Sequence, residues 1–186
     1  MADVTAADTR RRILTIAAGL FARQGYTGTT IADIARELGT TTAALYYHFP
    51  SKADILAGLL AEPLAAYTRI LEGLDRAEPE ALLGAFIDLT ADSRELASII
   101  DKDPAVLAMI DERLPQTSRQ MTERVVESLA GPEADRSAVI RAHAALAVVK
   151  GATLAALELG DGALSPAGRA EILGLALRTL QAPQFS

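Results

Sequence analysis

The stretch TTIADIARELGTTTAALYYHFPSKAD, residues 29–54, decides the fold of this 186-residue chain. Thr30 and Asp33 have the spacing of a capping box, which predicts a helix from about residue 31. Gly39 can adopt the positive φ of a helix stop, and the threonines at 40–42 offer hydroxyl groups to cap a further helix. We therefore predict two short helices joined by a tight turn, which is a helix-turn-helix.

The second helix of this pair begins with small side chains, and it is the one predicted to enter a major groove. These residues are Thr40, Thr41, Thr42, Ala43 and Ala44. Their small size would let the backbone and the hydroxyl groups approach base edges and phosphates. Leu45 and Phe49 lie four residues apart, and we expect them to face a small core.

An amphipathic helix is predicted before this motif, from Thr9 to the glycine at position 25. Its apolar positions recur on one face. They are Ile13, Ala17, Leu20 and Phe21. We expect these three helices to pack together as an amino-terminal domain.

A long fourth helix is predicted after Pro50, where Ser51 and Asp54 have the spacing of a capping box at its start. Its apolar pattern continues to Leu74. Pro63 falls inside this pattern, where a proline removes one backbone hydrogen bond and clashes with the preceding turn. We therefore expect the helix to bend or to break there.

The rest of the chain also has helical patterns, separated by prolines and glycines. Asp103 before Pro104 is interpreted as a helix cap. The predicted helices span 79–91, 93–100, 104–113, 115–130, 133–159 and 166–181. No segment alternates strictly enough to predict a strand, so the predicted fold is all-α.

The composition excludes several kinds of functional site. The chain has no cysteine and two histidines, which removes thiolate zinc sites, iron–sulfur clusters and histidine-rich metal sites. We expect no metal and no cofactor. The first twelve residues, MADVTAADTRRR, lack the apolar core of a signal peptide. The longest weakly charged run, 142–157, is short of the roughly 20 residues of a membrane span, so a cytoplasmic protein is expected.

Charge is distributed unevenly between the two parts of the chain. Residues 1–56 carry six basic and five acidic side chains, whereas residues 57–186 carry twelve basic and nineteen acidic ones. The whole molecule has a net charge of −6, so its overall field repels nucleic acid. Any DNA binding would depend on locally placed groups and on the amino-termini of helices. The run Arg10 to Arg12 alone is more typical of a solvated helix start.

The motif resembles a known family over residues 9–60. The matching positions are Ile34-Ala35, Gly39, Leu45-Tyr46, His48-Phe49 and Ser51-Lys52. Together with the amphipathic helix before them and the long helix after them, they are similar to the TetR family of transcriptional regulators. The resemblance implies a helix-turn-helix DNA-binding domain at 1–54 and a helical effector-binding and dimerisation domain at 55–186.

The same resemblance implies which residues contact double-stranded operator DNA. Thr40 to Ala44 would form the recognition face, and Tyr46, Tyr47 and His48 would contact phosphates and bases. Lys52 would hold a phosphate, and Thr30 would hold another through its backbone amide, as helix amino-termini do. For Phe49, a place in the core is favoured.

The last two helices are rich in alanine, glycine and leucine on more than one face, which predicts an association surface. We expect a homodimer through these helices, the arrangement that the resemblance also implies. Its two recognition helices would read half-sites about 34–36 Å apart, or somewhat more, on a palindromic operator.

The resemblance further implies a repressor that a small-molecule inducer releases from DNA, with no catalytic activity. The inducer pocket would lie among helices four to eight. Its candidate lining residues are Tyr67, Phe86, Met109, Met121, Val125 and His143. Because aromatic residues are scarce, we expect an aliphatic pocket, and Pro63 is the candidate pivot of the switch.

Two other classes of protein stay open at this point. One is a helical-bundle enzyme with an incidental helix-turn-helix, although no catalytic residues stand at diagnostic spacing. The other is an interaction adaptor that uses its apolar carboxyl-terminal helices to bind a different protein.

Overall fold

The structure, a computed structural model, describes residues 2–112, 116–160 and 162–181, and within these ranges it contains ten α-helices, one 3-10 helix and no strand. The helices are α1 (Ala2–Gln24), α2 (Ile31–Leu38), α3 (Thr42–His48), α4 (Lys52–Gly73), a 3-10 turn (Leu74–Arg76), α5 (Pro79–Asp92), α6 (Arg94–Lys102), α7 (Ala105–Asp111), α8 (Ser118–Ala130), α9 (Arg136–Leu159) and α10 (Pro166–Leu180). The predicted all-α fold is confirmed.

Three helix starts differ from the prediction by more than one residue. α1 begins at Ala2 rather than at Thr9. α8 begins at Ser118 rather than at 115, because Thr117 forms a capping box with Gln120 that the sequence analysis missed. Pro115, the predicted start, lies outside the described residues. α9 begins at Arg136, where the carboxylate of Asp135 caps the helix, rather than at 133.

The chain divides into two compact units. The first consists of residues 1–64 and 95–113, and it contains α1 to α3, α7, most of α6 and the first part of α4. Within it, α2 packs against both α1 and α3. Its largest fully buried side chains are Phe21, Phe49, Ile13, Ile34, Leu45, Ile55, Leu56, Leu60, Ile99 and Val106. The predicted inward positions of α1 and α3 are therefore confirmed.

The second unit consists of residues 65–94 and 114–186. Its core lies where α9 packs against α5, α8 and α10. The buried members of this core are Leu71, Leu74, Leu82, Leu83, Phe86, Ile87, Met121, Val125, Val126, Leu129, Ala142, Ala145, Val149, Ile172 and Ala176. The bidentate ion pair of Arg169 with Asp88, at 2.6 and 2.7 Å, ties α10 to α5 at the surface.

α4 runs through Pro63 without interruption, so the alternative of a broken helix is wrong. Pro63 is tolerated because the missing N–H costs one hydrogen bond in a helix of 22 residues. The first of the two segments that make up the first unit ends at Leu64, directly after this proline. The functional boundary expected between residues 54 and 55 stays a prediction.

α9 is longer than its weakly charged run indicated. By length and composition alone it could cross a membrane, with a mean hydropathy of 1.4 over its most apolar 18 residues. The weakly charged run covers only residues 142–157, whereas the helix extends beyond it in both directions. Only 22% of that window is buried within the chain, although one face of α9 belongs to the core of the second unit. A single chain thus exposes much of an apolar helix.

Candidate nucleic-acid interface

The amino-terminus of α2 is fixed by the predicted capping box. The Thr30 hydroxyl accepts a hydrogen bond from the Asp33 amide at 3.1 Å, and the Asp33 carboxylate accepts one from the Thr30 amide at 2.9 Å. Hydrogen bonds from the Thr30 hydroxyl and amide, and from the Arg36 guanidinium, lower the pKa of Asp33 to about 2. The Asp33 carboxylate of this capping box therefore remains ionised at neutral pH. The Thr30 amide, predicted to hold a phosphate, is already bonded to this carboxylate.

Gly39 makes the turn between α2 and α3. Its φ of 70° and ψ of 35° are left-handed, a conformation that favours glycine. The Gly39 amide donates to the carbonyl groups of Ala35 and Arg36, and the Thr40 amide donates to Ala35 at 2.9 Å. These bonds satisfy the last carbonyl groups of α2 and aim the chain into α3.

The start of α3 is exposed and slim. All five residues of the predicted recognition face, Thr40 to Ala44, are exposed. Thr41 is the cap of α3, and its hydroxyl accepts from the Ala44 amide at 3.2 Å. Since a hydroxyl that accepts one hydrogen bond can still donate another, Thr41 remains able to bond a phosphate or a base.

The carboxyl end of α3 presents aromatic side chains to solvent. Tyr46 is 51% exposed and Tyr47 is 85% exposed. The Tyr47 ring makes an edge contact with the half-buried ring of His48, with centroids 5.2 Å apart. Leu45 and Phe49 are each 1% exposed, which confirms their predicted place in the core. α3 thus separates an inward apolar face from an outward face.

Lys52 is engaged within the chain. Its ammonium group donates to the carbonyl oxygens of Tyr26 and Thr29, both at 2.9 Å. The same group lies 4.3 Å from the centre of the Tyr26 ring. Two of its three N–H donors are therefore used to hold the turn between α1 and α2. The phosphate contact expected of Lys52 stays a prediction.

Arg10 supports the same interface, a role that was not predicted from the sequence. Its guanidinium donates to the His48 carbonyl at 2.9 Å and lies over the ring of Phe49. A cation at the carboxyl end of a helix is favourable. The run of three arginines was the available signal, but nothing in the local sequence distinguishes Arg10 from its neighbours.

The structure brings four of the six predicted pocket residues together in the second unit. Phe86, Met121 and Val125 belong to its buried core, and Tyr67 packs against them. The rings of Tyr67 and Phe86 meet edge to face at 5.5 Å. Burial raises the pKa of Tyr67, whose hydroxyl is hydrogen-bonded to Thr122.

The other two predicted pocket residues lie elsewhere. Met109 is on α7 in the first unit. His143 is exposed on α9, so in a single chain it does not face the core. The sequence pattern correctly placed both residues in helices, but it did not show on which side of each helix they lie. Among the described residues, no group of three or more histidine, aspartate or glutamate side chains could hold a metal ion.

A slim, exposed helix start behind a glycine turn defines a helix-turn-helix protein of the DNA-binding class. Residues 13–59 match the model of the family described as bacterial regulatory proteins, tetR family. The transcriptional repressor KstR2 of Rhodococcus jostii is 37% identical over 130 residues, which cover 66% of this chain and 63% of that protein. The chain belongs to the TetR family.

Two solved structures have the same fold over almost the whole chain. A TetR-family regulator from Bordetella parapertussis has a TM-score of 0.64 at 24% identity and covers 96% of this chain and 98% of its own. KstR2 of Mycobacterium tuberculosis, titled a ketosteroid transcriptional regulator, has a TM-score of 0.63 at 20% identity, with 96% of each chain covered. The sequence match to the curated relative, by contrast, spans less than two thirds of that relative's length.

Proposed function

We propose that this protein is a transcriptional regulator that binds operator DNA through α3 and acts as a repressor. The observation that carries the proposal is the exposed, slim start of α3 at Thr40 to Ala44, held by the glycine turn at Gly39. An α-helix of this kind fits the major groove, and its small side chains allow close approach to base edges. The name of the R. jostii relative, a transcriptional repressor, supports repression.

The exposure of α3 supports the proposed DNA contacts. The recognition face is Thr40, Thr41, Thr42, Ala43 and Ala44, and the exposed rings of Tyr46 and Tyr47 lie at the other end of α3. Because the net charge of the chain is −6, binding is expected to be selective rather than general. We expect the logarithm of the affinity to fall linearly with the logarithm of the salt concentration, as phosphate contacts require.

The functional unit is a homodimer joined through α9 and α10. Apolar side chains on these helices are exposed in a single chain: Val139 by 37%, Ile140 by 58%, Leu159 by 90% and Leu175 by 40%. Exposed apolar surface of this extent is typical of an association surface. A two-fold axis through this surface would give the dimer two copies of the helix-turn-helix, which matches a palindromic operator.

A small apolar molecule is the proposed inducer. The cluster of Tyr67, Phe86, Met121 and Val125 supplies an apolar lining, and the hydroxyl groups of Tyr67 and Thr122 supply polar contacts. Because the structural relative from M. tuberculosis is a ketosteroid transcriptional regulator, a ketosteroid is the first inducer to test. The inducer must bind the DNA-incompetent arrangement better than the competent one, typically by about 1–3 kcal/mol.

The test of DNA binding uses the DNA that flanks the gene of this protein. Fluorescence anisotropy would measure the affinity of the purified chain for labelled fragments at low and moderate salt. Ala43→Glu places a carboxylate on the recognition face and should weaken binding by more than about tenfold, because the DNA phosphates repel its negative charge. The same substitution at Ala81, exposed on α5 in the second unit, is the matched control.

Two outcomes would overturn the proposed function. The first is a folded wild-type chain that binds no flanking fragment at low salt. The second is an equal effect of Ala43→Glu and Ala81→Glu on binding, which would mean that α3 is not the reading element. Release of bound DNA by a ketosteroid, without loss of the folded state, would identify the inducer class.

A further inference from the structure

The segment 95–113, which carries most of α6 and all of α7, belongs to the first compact unit. The chain on both sides of it, 65–94 and 114–186, belongs to the second unit. The chain therefore passes between the two units three times, once within α4 at residues 64–65 and once at each end of this segment. A contact from this segment to the DNA-binding helices could control them.

Such a contact is made by Asp103, between α6 and α7. Its carboxylate accepts a hydrogen bond from the Thr27 amide at 2.7 Å, across 76 residues of sequence. Hydrogen bonds from the Thr27 hydroxyl and amide, and from the Ala105 amide, lower the pKa of Asp103. α7 begins at Ala105 with Pro104 as its cap, so the cap predicted at Asp103 is wrong. The Asp103 carboxylate instead bonds the Thr27 amide of the α1–α2 turn.

The turn of residues 25–30 is also held by Lys52. The ammonium group of Lys52 bonds the carbonyl groups of Tyr26 and Thr29, whereas Asp103 bonds the amide of Thr27. The positive charge of Lys52 also lowers the pKa of Asp103, so the two groups attract each other. The backbone of the turn is therefore held by one anion and one cation.

This turn positions the start of α2. Thr29 is fully buried, and its hydroxyl donates to the Gly25 carbonyl at 2.8 Å. Thr30 follows directly and is the cap of α2. α2 in turn ends at the Gly39 turn that aims α3. A displacement of residues 25–30 would therefore move the amino-terminus of α2 and the helix that follows it.

We propose that Asp103 is a positioning residue for DNA binding: by holding the Thr27 amide, it keeps the α1–α2 turn, and with it α2 and α3, in the arrangement that meets the operator. The inference rests on the proposed DNA-binding function. Withdrawal of Asp103 by a movement of the α6–α7 segment would release the turn without unfolding α3, because the capping bond of α3 joins Thr41 to its own helix and does not involve Asp103.

The sign of the effect distinguishes positioning from simple electrostatics. Removing a carboxylate from a DNA-binding unit makes the protein less negative, which by itself strengthens its attraction to phosphates. Loss of positioning has the opposite effect. Asp103→Ala is therefore expected to weaken operator binding by about tenfold, in line with the loss of a hydrogen bond to a charged group.

Asp101→Ala is the matched control, since Asp101 is an exposed acidic residue of α6 in the same segment. It removes the same charge and should leave operator affinity unchanged or slightly increased. Asp103→Asn keeps an oxygen that can accept from the Thr27 amide but loses the attraction to Lys52, so it should recover part of the affinity.

Amide hydrogen exchange gives a readout that a general loss of stability would not produce. In the whole chain carrying Asp103→Ala, the amides of Thr27 and Thr29 should exchange faster, while the Phe49 amide, bonded to Leu45 in the core, should not. If Asp103→Ala does not fold, the same comparison of affinity and exchange is made with Asp103→Asn.

The outcomes for the two proposals are separable. Failure of the wild-type chain to bind any operator fragment would remove the proposed function itself. If the wild type binds and Asp103→Ala binds equally well or more tightly, as Asp101→Ala does, the positioning role is wrong. Weaker binding accompanied by faster exchange throughout the core would also overturn it, because Asp103 would then act on overall stability alone.

Discussion

The guanidinium carbon of Arg10 lies 3.9 Å from the centre of the Phe49 ring. One of its nitrogens donates to the His48 carbonyl at the carboxyl end of α3. α1 therefore holds the helix that is proposed to read DNA by a cation–π contact and by a hydrogen bond at a helix end. The orientation of α3 depends on a residue 38 positions away in the sequence.

Arg10→Ala is expected to lower the free energy of unfolding by about 1 kcal/mol, the usual contribution of an exposed cation–π contact with one hydrogen bond. The operator affinity of Arg10→Ala should fall by more than the loss of one positive charge would cause. Arg12→Ala is the control, because it removes the same charge from an exposed position of α1. Urea denaturation and anisotropy measure the two effects. Equal behaviour of the two variants would show that Arg10 acts only as a surface charge.

Gly39→Ala tests the turn between α2 and α3. A Cβ at position 39 would meet nothing within 4 Å, so its cost is purely conformational. Holding an L-residue at a φ of 70° costs about 1–2 kcal/mol. Gly73→Ala is the control, since Gly73 also has open space but a φ of −92°. Thermal unfolding should show destabilisation for Gly39→Ala alone. Equal melting temperatures would mean that the turn tolerates a side chain.

The local features of this fold were predictable from the sequence, because each depends on residues within one turn of one another. The Thr30–Asp33 box, the Gly39 stop and the Ser51–Asp54 cap are of this kind, and the structure contains all three. The contacts of Arg10 and Asp103 were not predictable in this way. They join residues 38 and 76 positions apart, and their partners are backbone groups, which leave no trace in the sequence.

The candidate site was predictable where exposure follows helix geometry. The small residues of α3 face outward because Leu45 and Phe49 fix the inward face of a short helix. The pocket candidates were harder to assign. α9 is apolar around most of its circumference, so periodicity did not distinguish the buried Ala142 and Ala145 from the exposed His143.

The lowered pKa of Asp33 predicts how the free energy of unfolding depends on pH. Its pKa is lowered from 3.8 to about 2, so the folded state binds its proton less tightly than the unfolded state does. Its contribution is therefore fully present above about pH 4 and is lost as the pH falls towards 2. In urea titrations, the wild type should lose more stability over this window than Asp33→Asn, which has no carboxylate to protonate. Identical pH profiles would mean that the cap does not depend on ionisation.

Leu175→Glu tests the proposed dimer interface. Leu175 is 40% exposed on α10, and a carboxylate there would have to be buried on association, which is costly. Sedimentation equilibrium at micromolar concentration should give a dimer for the wild type and mainly monomer for the variant. Leu107→Glu is the matched control, with 39% exposure on α7. A monomeric wild type, or a variant that still forms dimers, would contradict the interface on α10.

Pro63→Ala tests whether α4 has a pivot next to residues 64–65, where the chain first passes from the first unit to the second. Alanine restores an N–H donor inside the helix, so the free energy of unfolding should rise by about 1–2 kcal/mol, less than the intrinsic difference of about 3 kcal/mol because alanine also frees the unfolded chain. A straighter, stiffer α4 should reduce release of operator DNA by an inducer, measured as the change in affinity with and without a ketosteroid. Glu62→Ala, exposed on the same turn, leaves the backbone donors unchanged and is the control. If Pro63→Ala gains stability while operator affinity and inducer response both match those of Glu62→Ala, the proline is a passive part of the packing and the switch lies elsewhere.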